Sequence, residues 1–122
     1  MLDAVRAAHQ VESIPLSNQT VVWGHSQGGH AALWTAQNVP VGPFVQPLFI
    51  GIGTADEVVS PSIQDAYVDS RCASGQPLEY RTYPGKTHMG VLQDDDSVLP
   101  MDLEHWTRDR LNGLPSSNTC AP

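Results

Sequence analysis

Short apolar runs alternate along this chain with stretches of helical spacing. Thr20-Val21-Val22-Trp23 is β-branched and aromatic, stops at Gly24, and predicts a buried strand. Leu48-Phe49-Ile50-Gly51-Ile52 predicts a second buried strand, ending at Gly53-Thr54. Leu78 to Tyr83 predicts a third, of alternating character, closed by Pro84-Gly85. Between them the period changes. Leu2, Val5 and His9 recur at helical spacing over residues 2–11, ahead of a turn at Pro15 to Asn18, and Gln27 to Gln37 is rich in small and helix-favouring residues. Ser60-Pro61 predicts a helix start, with Ser60 as cap and Pro61 at the first helical position, and Ile63, Ala66 and Tyr67 marking one face. A last helix is predicted over Pro100 to Asn112. Leu99, Leu103 and Trp106 share its face, acids come early, Arg108 and Arg110 come late, and Gly113 is the stop. Asn38 to Pro47, with three prolines and a glycine, and Leu114 to Pro122 predict loops. Helices alternating with buried strands imply an α/β fold with a parallel sheet, whose ligand crevice lies at the carboxyl ends of the strands.

The 122 residues suit one domain, and 40% hydrophobic with 16% charged residues is a globular balance. A net charge of −7 repels phosphate backbones, so no nucleic-acid partner is expected. No apolar run approaches the roughly 20 residues of a membrane helix, so no membrane insertion is expected. Met1-Leu2-Asp3-Ala4-Val5-Arg6 lacks the pattern of a signal peptide. Cys72 and Cys120 are either one disulfide or two free thiols, and a bridge would point to an oxidising compartment. Asp94-Asp95-Asp96 reads as a solvated loop, because three adjacent carboxylates do not point at one ion. No His, Cys, Asp or Glu set has zinc spacing, and there is no Gly-rich phosphate loop with its lysine, so no metal and no cofactor are expected.

The chemistry gathers at predicted strand ends. Gly24-His25-Ser26-Gln27-Gly28 fits G-x-S-x-G, a nucleophile elbow between a strand and a helix. A serine there needs a strained backbone and glycines on either side, so that strand and helix approach without a Cβ clash. Serine also needs a base. In this fold the chain order is Ser, then Asp or Glu, then His. Asp56 follows the second strand and His88 the third. They would serve as orienting acid and as base, with Glu57 as rival acid and His9 and His105 as rival bases on helix faces. The backbone N–H of Gln27 is the expected oxyanion donor, and His25 and Met89 are candidate substrate contacts. His30 stands one turn into the helix.

Val21 to Ala32, Leu48 to Val59, Arg81 to His88 and Trp106 to Cys120 together resemble the secretory lipases, a family of α/β-hydrolases. The resemblance implies Ser26, Asp56 and His88 as a triad, ester substrates, a Cys72–Cys120 disulfide and a secreted protein. The chain departs from the family in two places. One helix precedes the nucleophile strand where the family has several strands, and the short Asn38–Pro47 loop replaces a long lid insertion. The expectation is a truncated, minimal α/β-hydrolase fold over residues 1–122, with an apolar edge strand at Thr20–Trp23 that would pair with a second copy in a homo-oligomer. The leading expectation of function is a serine carboxylesterase for short-chain esters. The alternative is an inactive or very weak fragment of a larger secreted lipase serving as an oligomeric scaffold.

Overall fold

The computed structural model describes residues 7–11, 17, 19–37 and 46–120. The chain divides into two compact units, Met1–Val41 and Gly42–Pro122.

In the first unit, the small and helix-favouring residues after Ser26 form helix α1, Gln27–Gln37. Ahead of it the expected strand does not form. Residues 19–25 carry no regular secondary structure, and Val21, Val22 and Trp23 are 37%, 38% and 54% exposed. β-branched and aromatic composition gives a segment the capacity for a strand, but only pairing makes one, and pairing is not local. Of the helix expected over residues 2–11, one turn is described, held by Gln10 N–H to the Ala7 carbonyl and Val11 N–H to that of Ala8. Leu2, Val5 and residues 38–45 of the Asn38–Pro47 loop lie outside the described residues.

The second unit is a small α/β fold. Strand β1 (Leu48–Gly53) leads through helix α2 (Pro61–Ala73) to strand β2 (Leu78–Tyr83), followed by a short helix α3 (Gly90–Gln93) and helix α4 (Leu99–Leu111). The strands run parallel, from Leu48 opposite Leu78 to Gly53 opposite Tyr83, and are the two strands of the sheet among the described residues. Both lie where the apolar runs predict them. Leu78 and Glu79 point to opposite faces and are both buried, so β2 does not show the expected alternation; each face is covered at its start.

Helix α2 begins at Pro61 as expected, since proline's missing N–H is one that a first turn leaves unpaired. Ser60 stands at the cap position without capping. Its hydroxyl lies 2.9 Å from that of Ser62 instead. The inward face also differs from expectation. Val68 is buried while Ile63 is 66% exposed and Ala66 is exposed, a rotation that turns Cys72 toward the C-terminal tail. There Cys72 is bonded to Cys120 in a disulfide, with Cα atoms 5.1 Å apart. The tail lies along the outer edge of β2. Thr119 N–H donates to the Leu78 carbonyl at 2.7 Å, Tyr80 N–H to the Thr119 hydroxyl at 2.8 Å, and Leu78 N–H to Asn118 Oδ1 at 3.3 Å.

Helix α4 turns Leu99 and Trp106 inward and ends before Gly113, as its spacing predicts. Leu99 packs with Tyr83 and Val91 in a core cluster beneath the loop that follows β2. Among the described residues no helix is long and apolar enough to cross a membrane.

Candidate active site

Because β1 and β2 are parallel and end in register, the loops that leave them start at the same edge of the sheet. The ladder continues into those loops. Thr54 N–H donates to the Tyr83 carbonyl at 3.0 Å, Ala55 N–H to the Lys86 carbonyl at 3.0 Å, and Gly85 N–H to the Thr54 hydroxyl at 2.8 Å. The approach is so close that a Cβ at Gly53 would sit 2.0 Å from the Lys86 carbonyl oxygen, so the position admits only glycine.

This lacing brings two of the expected residues together. His88 Nδ1 lies 2.9 Å from Asp56 Oδ2, and the two side chains are 10% and 5% exposed. The other carboxylate oxygen accepts the N–H groups of Val58 and Val59, each at 2.8 Å, in a turn that wraps Asp56 around its own backbone. Burial pushes the Asp56 carboxyl up. The N–H of Val59, the His88 ring and the N–H of Val58 outweigh it, so its pKa falls below the ordinary aspartate value. An ionised carboxylate is an acceptor only, so the Nδ1 of His88 carries the proton and the Nε2 of the neutral ring keeps its lone pair. That is the tautomer a general base needs.

Glu57, the rival acid, holds a different atom. Its Oε2 accepts the backbone N–H of His88 at 3.2 Å. Adjacent acids on one turn thus grip the ring and the backbone of the same histidine. Neither Glu57 nor Thr54 is visible in the sequence as a partner of the His88 loop, because nothing periodic links positions 31 residues apart. The rival bases His9 and His105 are exposed. Met89, next to His88, is 45% exposed.

In the first unit, Ser26 has φ 55°, in the left-handed region, and is exposed. Such a conformation costs a non-glycine residue about 1–2 kcal/mol. The turn is closed by Gly28 N–H on the His25 carbonyl at 2.8 Å and His30 N–H on the Ser26 carbonyl at 3.1 Å. A Cβ at Gly24 would fall 2.1 Å from the Gly28 carbonyl oxygen, so glycine is required there too. The strained serine and the close approach at Gly24 are what the G-x-S-x-G pattern leads one to expect, whereas a Cβ at Gly28 would meet nothing within 4 Å and no strand precedes the turn among the described residues. Gln27 opens α1, where N–H groups are free of intrahelical partners and the helix dipole favours negative charge. His25 is half-buried and His30 exposed.

Among the described residues no group of His, Cys, Asp and Glu could hold a metal ion. A hollow of about 350 Å³ beside β2 and α4 is lined by Arg81, Asp102, His105, Trp106 and Arg110, among others. Its Arg81 is already engaged by Glu79 and by Asp102 at 2.9 Å. No family model, no curated protein and no solved structure matches this chain.

Proposed function

We propose that the chain is a serine hydrolase that cleaves carboxylic esters with short acyl groups, in an arrangement of the α/β-hydrolase kind implied by its resemblance to the secretory lipases. The observation that carries this reading is the buried Asp56–His88 pair at 2.9 Å, with the Asp56 carboxyl held below its ordinary pKa. The left-handed Ser26 in a glycine-flanked elbow supports it independently.

The reaction assigns to Ser26 Oγ the attack on the ester carbonyl and to His88 Nε2 the removal of the hydroxyl proton. The Gln27 N–H at the start of α1 stabilises the oxyanion of the tetrahedral intermediate. Collapse breaks the C–O bond, and His88 returns the proton to the departing alcohol. Water, deprotonated by His88, then attacks the acyl-enzyme, and as the C–Oγ bond breaks His88 returns that proton to Ser26 Oγ and the acid departs. Asp56 stays ionised throughout and stabilises the imidazolium. His25, next to Ser26, and Met89, next to His88, are the residues assigned to substrate contact.

A fluorophosphonate probe tests the nucleophile directly. It should add once, at Ser26, as read by peptide mass spectrometry, and should fail to add in His88→Ala, because an unactivated serine does not attack it. No adduct on the wild type, or one at another residue, would refute the reading.

A further inference from the structure

Lys86 and the acidic run bracket the segment that carries His88. The Lys86 ammonium lies 3.1 Å from Asp94 Oδ2 and also contacts the Asp96 carboxylate. Lysine ordinarily keeps its head in water, yet this side chain is 14% exposed while the two carboxylates are 48% and 83% exposed. The acidic run faces solvent as its composition suggests, and two of its carboxylates also hold Lys86. Hydrogen bonds of the two carboxylates, Asp96 foremost, hold the Lys86 pKa above the ordinary lysine value.

The turn between these contacts is tight. The Thr87 hydroxyl accepts Gly90 N–H at 3.0 Å, and the Thr87 carbonyl accepts Val91 N–H at 3.1 Å. A Cβ at Gly90 would lie 2.7 Å from Asp94 Oδ2 and 2.9 Å from the Thr87 hydroxyl. The acidic run is thus packed directly against the turn around His88. On its other side, the Lys86 carbonyl accepts the Ala55 N–H of the loop that bears Asp56. Lys86 is tied through its backbone to the acid loop and through its side chain to the acidic run, with His88 between.

We propose that Lys86 is a positioning residue for His88: clasped by Asp94 and Asp96, it closes the 86–96 loop and keeps the His88 ring on Asp56. The inference rests on the Asp56–His88 pair serving the reaction proposed above. Because the carboxylates face solvent, salt screens the clasp, so the hold weakens with ionic strength.

The test compares the full chain with Lys86→Met, which keeps the stem and removes the charge, and Lys86→Arg, which restores the charge. One readout is the Nδ1 proton of His88 in ¹⁵N-labelled protein; the other is kcat and KM for p-nitrophenyl acetate at low and high NaCl. The wild type should show the low-field proton of a histidine bonded to a carboxylate. Lys86→Met should broaden or lose it and lower kcat about tenfold with KM unchanged, the scale of a small misplacement of a catalytic group. Lys86→Arg should restore both. Wild-type kcat should fall with NaCl while that of Lys86→Met stays flat. If Lys86→Met does not fold, Asp96→Asn should show the same changes in smaller measure. An intact low-field proton with kcat within about twofold of wild type, or an equal salt response in both proteins, would overturn the latch alone. A wild-type protein without that proton would overturn the Asp56–His88 reading, and the latch with it.

Discussion

Asp56→Asn should lower kcat for ester hydrolysis on the order of 10⁴-fold while leaving the melting temperature nearly unchanged. Asparagine fits the same turn. Its carbonyl oxygen can still accept the Val58 and Val59 N–H groups that Asp56 Oδ1 accepts at 2.8 Å. That choice directs the amide nitrogen at His88 Nδ1, where Asp56 Oδ2 now lies at 2.9 Å. An amide nitrogen only donates, so His88 Nδ1 becomes the acceptor and the ring proton moves to Nε2. A ring protonated at Nε2 cannot take the Ser26 proton. The effect falls on kcat rather than stability, because the hydrogen-bond count is kept and only its direction changes. Steady-state kinetics with a thermal melt by circular dichroism read both quantities. A loss of less than about tenfold would remove Asp56 from the mechanism.

Replacing Cys72 and Cys120 together by serine should lower the unfolding free energy by about 4 kcal/mol, the loop-closure value for a bridge of this span, whose ends are 48 residues apart in sequence. The local consequence is the loss of the tail from β2. Three hydrogen bonds join Asn118 and Thr119 to Leu78 and Tyr80. At about 1 kcal/mol net each, they do not offset the roughly 1–2 kcal/mol per residue of ordering residues 116–120. The disulfide makes up that difference. Urea unfolding measures the first effect, and hydrogen exchange at the Leu78 and Tyr80 amides the second. A change below about 1 kcal/mol with both amides still protected would show that the tail docks without its bridge.

What the sequence made legible is what local chemistry dictates. The apolar run at Leu48–Ile52, the Pro61 helix start, the inward Leu99 and Trp106, and the stop at Gly113 all follow from propensity and period, and all lie where expected. The Asp56–His88 pair was legible because parallel strands deliver their loops to one edge, where the two side chains meet. What depends on distant partners was not legible. Thr20–Trp23 has the composition of a strand and forms none. The inward face of α2 carries Val68 rather than Ile63 and Ala66, since helical period alone leaves the rotation open. Glu57, Thr54 and Lys86 support the His88 loop through contacts that no spacing encodes. The acidic run is exposed as expected, but its hold on Lys86, eight residues away in another turn, was not legible.

The central claim is that Ser26 is the nucleophile of an esterase, and hydrolysis of p-nitrophenyl acetate and butyrate by purified wild type beside Ser26→Ala tests it most directly. The account predicts turnover by the wild type, and a fall on the order of 10³-fold or more in Ser26→Ala, to the background rate. Equal rates in the two proteins would contradict it, and the chain would then be better described as an inactive scaffold that keeps the elbow as structure alone.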